Sequence, residues 1–351
     1  MTTYALRQRC DLAVQLALMA MLVVVPLVFY TPAHDVFEIN KITAFRIFTL
    51  LALLAWLTKL WFAEGRLRPA PLWPPVAAVG VSSLLSTIWT NNLPTSIFGV
   101  YEDYEGILTM ANYVLLWFLV VQQVRTFAMV RRFLAAIILA GALAALYGVM
   151  QNFGWDFVMW NPQTYSASRL FGTLGNPNFL AAYVLMALPL AAMAFFLARR
   201  GGGKGLLLAT VLVMLVCLFF TKSRGAVYAL AVQLVLFAAY LIFDRRRPAS
   251  LASANRRWLI VFAVLAVLSL GAPQVRQAMV STLQRTAATL DVSQIKLTPR
   301  LYIWRSALQM MRDKPLLGSG LDTFQITFPK YRLAEYWRLE WNGTPEKAHN
   351  C

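Results

Sequence analysis

Residues 133–150 read FLAAIILAGALAALYGVM, a run of 18 residues without a charged side chain. A helix of that length rises about 27 Å, close to the roughly 30 Å hydrocarbon core of a bilayer. No water is present there to satisfy backbone N–H and C=O groups, so such a run has to be helical. The stretch therefore predicts a transmembrane helix.

The rest of the chain repeats this pattern. Of its 351 residues 59% are hydrophobic and only 13% are charged, a composition that excludes an ordinary soluble domain. The alternating pattern of a barrel strand is absent. We predict an all-α fold, a polytopic transmembrane helical bundle whose nine spans lie at about 12–29, 42–62, 72–89, 108–124, 133–150, 177–197, 206–220, 225–243 and 258–272.

Two boundaries follow from these spans. Arg7 and Arg9 precede the first apolar stretch as they would in a signal peptide, but that stretch has span length and lacks a small-residue cleavage site. We therefore expect it to be a retained helix. We predict a transmembrane helical domain at 1–272, followed by a non-spanning, partly helical segment at 273–351 that carries part of the active site.

The distribution of charge predicts the orientation. With a cytoplasmic N-terminus, the inward segments hold 16 basic and three acidic residues, whereas the short outward loops hold four basic and six acidic ones. The positive-inside rule favours this arrangement. The chain is thus expected to be a multi-pass protein of the bacterial cytoplasmic (inner) membrane with residues 273–351 outside. The formal charge of +17 consequently reflects topology and membrane lipid rather than nucleic acid as a partner.

The few basic residues on the predicted outer side are candidate ligands for an anion. Arg224 lies in the sequence TKSRGA at 221–226, next to Lys222, where one span ends and another begins. A guanidinium at a membrane boundary is costly unless an anion meets it, and its planar fork of donors fits two phosphate oxygens. An arginine that merely reaches the interface is the alternative.

Arg300 and Arg305 lie in a predicted helix that begins at Thr298-Pro299, an N-cap residue followed by proline. Apolar residues at helical spacing give this helix one face that would lie on the membrane. Arg300 in the first turn would add its charge to free backbone N–H groups, a favourable place for an anion. A solvated arginine on an amphipathic helix is the alternative.

Residues 169–179 (RLFGTLGNPNF) lead into the sixth span. Asn176 or Asn178 is expected to cap that helix, and the N–H groups of its first turn, together with Arg169, are a candidate phosphate site. Arg46, near the outer end of the second span, is a further candidate anion ligand. His349, on the outer side, is of the residue type that takes a proton near neutral pH and is a candidate general base, although a structural histidine is the alternative.

Five stretches in the second half of the chain together resemble the O-antigen ligase/polymerase family of bacterial membrane glycosyltransferases. They occur in the family's order on the predicted outer side, whereas the first half of the chain is similar only in its hydrophobic spans. The stretches are 171–178 (FGTLGNPN), 223–226 (SRGA), 300–304 (RLYIW), 315–324 (PLLGSGLDTF) and 346–350 (EKAHN).

The resemblance implies a glycosyltransferase that moves glycan from a polyprenyl-diphosphate carrier to a hydroxyl on a lipid- or protein-anchored acceptor. It implies that Arg224 and Arg300 neutralise the diphosphate and that His349 accepts the proton of the attacking hydroxyl, without metal or other cofactor. Arg169, Asn176, Asn178, Lys222, Arg305 and Arg46 are expected to contribute to substrate binding.

One departure from the family and three alternatives bear on this hypothesis. Family members continue after the His-Asn pair, whereas this sequence stops at Cys351, and the comparison predicts a truncated chain. A repeat-unit polymerase of the same superfamily is the nearest alternative. A transporter or flippase would be expected to show inverted repeats and mid-membrane ionisable residues, and neither is evident. An inactive fragment is the third.

Overall fold

The computed structural model describes residues 3–62, 67–160, 169–198, 202–243, 273–290, 299–340, 343–345 and 347–348. Within these ranges the regular structure is helical, which confirms the predicted all-α class. The α-helices are α1 (Thr3–Leu27), α2 (Glu38–Phe62), α3 (Trp73–Ile88), α4 (Leu93–Phe98), α5 (Ile107–Gln123), α6 (Phe127–Asn152), α7 (Pro177–Leu197), α8 (Gly202–Phe220), α9 (Arg224–Phe243), α10 (Pro273–Leu290), α11 (Pro299–Asp313), α12 (Phe324–Thr327) and α13 (Ala334–Leu339).

Five described helices are long and apolar enough to cross a membrane: α1, α2, α6, α7 and α8. Three more predicted spans coincide with α3, α5 and α9, whose described apolar stretches are shorter. The ninth, 258–272, lies outside the described residues. The fold is therefore that of a membrane protein with at least five candidate spans, and the total of nine stays a prediction.

The chain divides into two compact units. The first unit contains residues 1–21, 32–126 and 293–351, and the second contains 22–31 and 127–292. This grouping follows contacts between helices. The predicted division into a membrane domain at 1–272 and an outer segment at 273–351 instead separates residues expected inside the bilayer from residues expected outside it. That division stays a prediction.

The core of the second unit is built on small side chains where α6, α7 and α8 meet. Ala144 and Ala187 are fully buried. A Cβ added to Gly141 would lie only 2.7 Å from the Cβ of Ala187 and 2.9 Å from the Cε of Met214. Small residues let helix backbones approach closely, which is the main source of packing energy between helices in lipid. The glycine at position 141 therefore sets the spacing of these three helices.

A proline in α7 is compensated by a side chain from α9. Pro189 lies inside α7 and has no N–H, so the carbonyl of Leu185, four residues earlier, loses its helical donor. Gln233 Nε2 of α9 donates to that carbonyl oxygen at 3.0 Å. In hydrocarbon an unsatisfied carbonyl is costly, and a neighbouring helix commonly supplies the missing bond.

In the first unit a buried ion pair connects α1 and α2. Lys59 Nζ lies 2.7 Å from Asp11 Oδ1, and Lys59 is only 4% exposed. The side-chain amide of Gln123, at the end of α5, donates to the backbone carbonyl of Asp11 at 2.9 Å. Polar groups removed from water require such partners. These bonds fasten three helices at the end that the charge distribution places in the cytoplasm.

The segment after α11 is hydrogen-bonded to the C-terminal end of α3 and packs against α4. Ser86 Oγ donates to the carbonyl of Leu317 at 2.7 Å, and the Asn91 amide donates to the carbonyl of Ser319 at 2.9 Å. Gly320 has a φ of +120°, and a Cβ there would overlap the side chains of Thr90 and Ser96. The close approach therefore requires glycine at position 320.

We expect Gly320→Ala to destabilise the protein by about 2–4 kcal/mol, because it combines an unfavourable φ with steric overlap. Gly318→Ala is the matched control, since Gly318 also has a positive φ (+67°) but has open space around its missing Cβ. The control should cost only about 1–2 kcal/mol. Thermal unfolding in detergent micelles measures the stability of both variants. Equal losses of stability in Gly320→Ala and Gly318→Ala would contradict the packing argument.

Candidate anion-binding site

The turn before α7 and the turn before α9 are joined through one amide oxygen. Asn176 is the N-cap of α7, and its Oδ1 accepts the backbone N–H of Asn178 at 2.8 Å. Asn178 Oδ1 in turn accepts from Ser223 Oγ and from Arg169 Nη2, each at 3.1 Å. Asn176 is thus confirmed as the helix cap, and the structure brings Asn178, Arg169 and Ser223 together.

Arg169 reaches the end of α8 as well as the start of α7. Its Nε donates to the carbonyl oxygen of Thr221 at 3.2 Å. Lys222 follows with a left-handed φ of 50°, and Arg224 then opens α9 with an exposed side chain. Three cationic side chains are consequently carried by two turns that are hydrogen-bonded to each other.

The electrostatic field at these turns is positive for a second reason. The N-termini of α7 and α9 both lie here, because Asn178 is in the first turn of α7 and Ser223 immediately precedes α9. Each helix N-terminus carries about half a positive charge. Two such ends beside three cationic side chains form a favourable environment for an anion of more than one charge.

Asp156 is the one acidic residue among the described residues of the second unit, and its oxygens are occupied by other donors. Tyr147 Oη and the Val158 amide donate to Oδ1 at 2.9 and 3.0 Å. Gln151 Nε2 and Trp160 Nε1 donate to Oδ2 at 3.0 and 2.6 Å. Among the described residues, no ion pair joins Arg224 to a carboxylate.

Gln151 links this acidic network to the turn that carries Arg169. Its Oε1 accepts the backbone N–H of Gly172 at 3.0 Å, while its Nε2 donates to Asp156. Partial burial acts to raise the pKa of Asp156, but the bonds from Gln151, Val158, Trp160 and Tyr147 outweigh it and the pKa lies below its usual range. The carboxylate is consequently a structural anchor for the turn.

Helix α10 packs at the same end of the second unit. Thr282 Oγ1 donates to the carbonyl of Phe219 at 3.4 Å, and Val275 and Ala278 are buried in the core with α8. Phe219 lies in the last turn of α8, two residues before Thr221. The start of the segment that follows the predicted ninth span is thus at the end of the unit where the cationic turns lie.

In the first unit, α11 carries two of the candidate arginines. Arg300 lies in the first turn of α11 and is exposed. Arg305 is also exposed, and its guanidinium lies over the ring of Tyr302 at 6.0 Å. Arg46 in α2 donates from Nη2 to Thr109 Oγ1 at 3.0 Å, and its buried Nε has no hydrogen-bond partner among the described residues.

The described residues just before His349 are held in place, whereas His349 itself lies outside the described residues. Lys347 Nζ lies 3.0 Å from Asp103 Oδ1 and 3.1 Å from Glu105 Oε2. Burial opposes the charge on Lys347, but both carboxylates outweigh this effect and raise its pKa. Trp304 Nε1 donates to the carbonyl of Ala348 at 2.9 Å, so residues 347–348 adjoin α11.

The structure therefore sorts the candidate residues into two sets. Arg169, Asn176, Asn178, Lys222 and Arg224 lie together in the second unit, and Arg46, Arg300 and Arg305 lie in the first. Their assigned roles in catalysis and substrate binding stay predictions. Among the described residues, no group of three or more His, Cys, Asp or Glu side chains is placed to hold a metal ion.

Sequence reasoning missed two acidic anchors. Asp156 is one of the six acidic residues counted in the predicted outward loops, and Trp160 four residues later supplies an indole donor to it. Asp322 was included only in the family-like stretch 315–324. In the structure its Oδ2 accepts the backbone N–H groups of Val100 at 2.7 Å and Glu105 at 3.2 Å. No local sequence pattern indicates the contacts of Asp322, because more than 200 residues separate it from Val100 and Glu105.

The apolar helices and the cationic turns define an integral membrane protein with a candidate anion site at one end of its second unit. Residues 209–351 match a family model described as O-antigen ligase, which supports the resemblance to the O-antigen ligase/polymerase family. Its members are glycosyltransferase-like ligases and polymerases, which supports an enzyme acting on lipid-linked glycans. No curated protein and no solved structure matches the chain.

We expect Asp156→Asn to lower thermal stability at neutral pH by removing the charged acceptor of four hydrogen bonds. Because the folded-state pKa of Asp156 is depressed, its contribution is present above the unfolded-state pKa and is lost as pH falls through the folded-state value. The difference from wild type should therefore shrink between about pH 7 and about pH 3, in melting curves of the detergent-solubilised protein. Glu102→Gln, a change at an exposed acid, is the control and should alter stability little at either pH.

Proposed function

We propose that this protein transfers a glycan from a polyprenyl-diphosphate carrier to an acceptor hydroxyl on the outer face of the cytoplasmic membrane. The observation that carries the proposal is the joint formed by Asn178, at which two helix N-termini and three cationic side chains meet. The O-antigen ligase match at 209–351 supports the same reaction class.

A diphosphate is the anion that suits these turns. It carries several negative charges at the membrane surface, which is the level at which a polyprenyl carrier presents its head group. Arg224 is exposed, and its planar guanidinium can donate to two phosphate oxygens at once. Arg169 is already oriented by Asn178 and Thr221, so little conformational entropy is lost when it meets an anion.

The chemical step needs a stabilised leaving group and a base. The acceptor oxygen forms a bond to the anomeric carbon while the bond from that carbon to the phosphate oxygen breaks, which inverts the configuration. The electron pair of the broken bond stays on the diphosphate, where Arg224 and Arg300 offset the added charge. The proton of the acceptor hydroxyl passes to His349. This division of roles makes the reaction independent of a metal ion.

A ligase and a polymerase would use the same donor chemistry. In the ligase the acceptor hydroxyl belongs to a lipid- or protein-anchored molecule, whereas in the polymerase it belongs to another lipid-linked repeat unit. The Asn178 joint binds the diphosphate in either case. We propose the ligase, in keeping with the description of the matched family.

The direct test is glycan transfer by the full-length protein in vesicles with a purified lipid-linked donor and acceptor. Arg224→Ala and Arg300→Ala should each lower turnover roughly 10²–10³-fold, the usual effect of removing one donor that stabilises developing charge. His349→Ala should lower it roughly 10²–10⁴-fold, with partial recovery at high pH as the acceptor hydroxyl ionises.

Arg131→Ala is the matched control for these variants. Arg131 is an exposed arginine near the start of α6, at the other end of the second unit from the Asn178 joint, and its loss should leave turnover unchanged. Wild-type transfer in the alanine variants at 224, 300 and 349 would reject the assigned site. Transfer in the presence of a metal chelator should equal transfer in its absence.

The orientation has its own test by cysteine labelling. A cysteine at position 305 should react with a membrane-impermeant maleimide in intact cells whose outer membrane is permeabilised, because the proposed site faces outward. A cysteine at position 131 should react only after the inner membrane is lysed. The reverse pattern would place the cationic turns of 221–224 in the cytoplasm and exclude an outward-facing reaction.

A further inference from the structure

Helix α11 is apolar on two opposite faces. One face is buried within the first unit, where Tyr302 and Ile303 pack with Phe328 and Tyr336. The opposite face carries Trp304, Leu308 and Met311, which are 42%, 55% and 64% exposed. These three side chains recur at helical spacing and form one stripe. An exposed apolar stripe on the side of a helix that faces away from the protein core indicates contact with another apolar surface.

Arginines border this apolar stripe on both sides. At 100° per residue, Arg305 and Arg312 follow one edge of the stripe and Arg300 lies at the other. None of the three forms an ion pair with a described residue. Arg305 and Arg312 line a groove of about 360 Å³, which they share with the single carboxylate of Glu335. The border of the stripe is therefore positively charged.

The end of α11 lies at the level where α3 ends. Lys314 Nζ, one residue after α11, donates to Asn91 Oδ1 at 2.7 Å, and Asn91 follows α3 by three residues. Ser86, in the last turn of α3, donates to the carbonyl of Leu317. Since α3 is a shorter apolar helix that coincides with a predicted span, we take its end as the expected boundary between hydrocarbon and head groups. The neighbouring Leu316 is 92% exposed at this level.

We propose that α11 lies on the bilayer surface, with Trp304, Leu308 and Met311 inserted among the acyl chains and Arg305 and Arg312 bound to the phosphates of anionic lipids. An apolar face bordered by arginines is the usual form of an interfacial helix. Arginine side chains at its edges extend to the phosphate level while their aliphatic parts stay in the apolar layer.

Charge favours a lipid surface over a second copy of the chain. A symmetric contact between two copies would bring the arginine-bordered faces together and place like charges side by side. An anionic lipid surface neutralises the same charges. Trp304 fits this location because its one polar atom, Nε1, already donates to Ala348. One consequence, that Arg300 lies at the depth of a lipid diphosphate, rests on the proposed function, whereas the surface location of α11 does not.

The test uses spin labels on the full chain in nanodiscs, in a background with the three native cysteines replaced by alanine. Labels are placed singly at positions 308 and 311 on the stripe, and at the adjacent position 309 as the control. In nanodiscs that contain phosphatidylglycerol, accessibility to oxygen relative to a water-soluble nickel complex should be several-fold higher at 308 and 311 than at 309. Replacing phosphatidylglycerol by phosphatidylcholine should reduce that difference in the wild-type sequence and should have little effect in the Arg305→Gln/Arg312→Gln variant.

Two outcomes would overturn the proposal. Equal ratios at the three positions would place the stripe in water. Labels at 308 and 311 that neither oxygen nor nickel reaches would show that protein covers the stripe, either a second copy or another part of this chain. A crosslinking measurement on the unsubstituted protein guards against perturbation by the labels. In that measurement, lipids with photoreactive acyl chains should crosslink to residues 299–313. Failure of the transfer assay would leave these accessibility results unaffected, so the two proposals are tested separately.

Discussion

The loops between the spans depend on short side chains that accept hydrogen bonds from several donors at once. Asp35 accepts the backbone N–H groups of Phe37, Glu38 and Ile39 and so starts α2. Asp156 and Asp322 organise their loops in the same way, with four and two donors. Loop amides next to hydrocarbon have little water to bond to, so these acceptors satisfy groups that would otherwise destabilise the fold.

This use of carboxylates for structure explains why the candidate site is positive. Asp156 is engaged by loop donors and Asp103 and Glu105 by Lys347, whereas Arg169 is oriented by a neutral amide. A carboxylate at position 178 would have oriented Arg169 equally well, but it would also have cancelled much of its charge. Asn178 orients the Arg169 side chain without neutralising its charge, and a site for a charged head group requires both.

The long apolar helices were predictable from the sequence, and most of the site's internal bonding was not. The apolar run at 177–197 coincides with α7, and Asn176 caps it as the turn signal indicates, because both effects depend on neighbouring residues. The bond from Ser223 to Asn178 joins two residues that are 45 positions apart in the sequence. Asp322 and Val100, which are also in contact, are 222 positions apart. Such contacts depend on how helices pack, and a pattern within one segment does not specify them. The prediction for His349 lies outside the described residues and is untested by the fold.

The bond between Gln233 and the Leu185 carbonyl has a consequence for how this sequence can diverge. While proline occupies position 189, loss of the glutamine would leave a carbonyl unsatisfied in hydrocarbon, so an apolar residue at 233 is disfavoured. Once position 189 regains an N–H, the glutamine becomes a polar side chain with no necessary partner, and selection to keep it disappears. Substitutions at these two positions should therefore be correlated among homologues, and their order is restricted, with the proline lost before the glutamine.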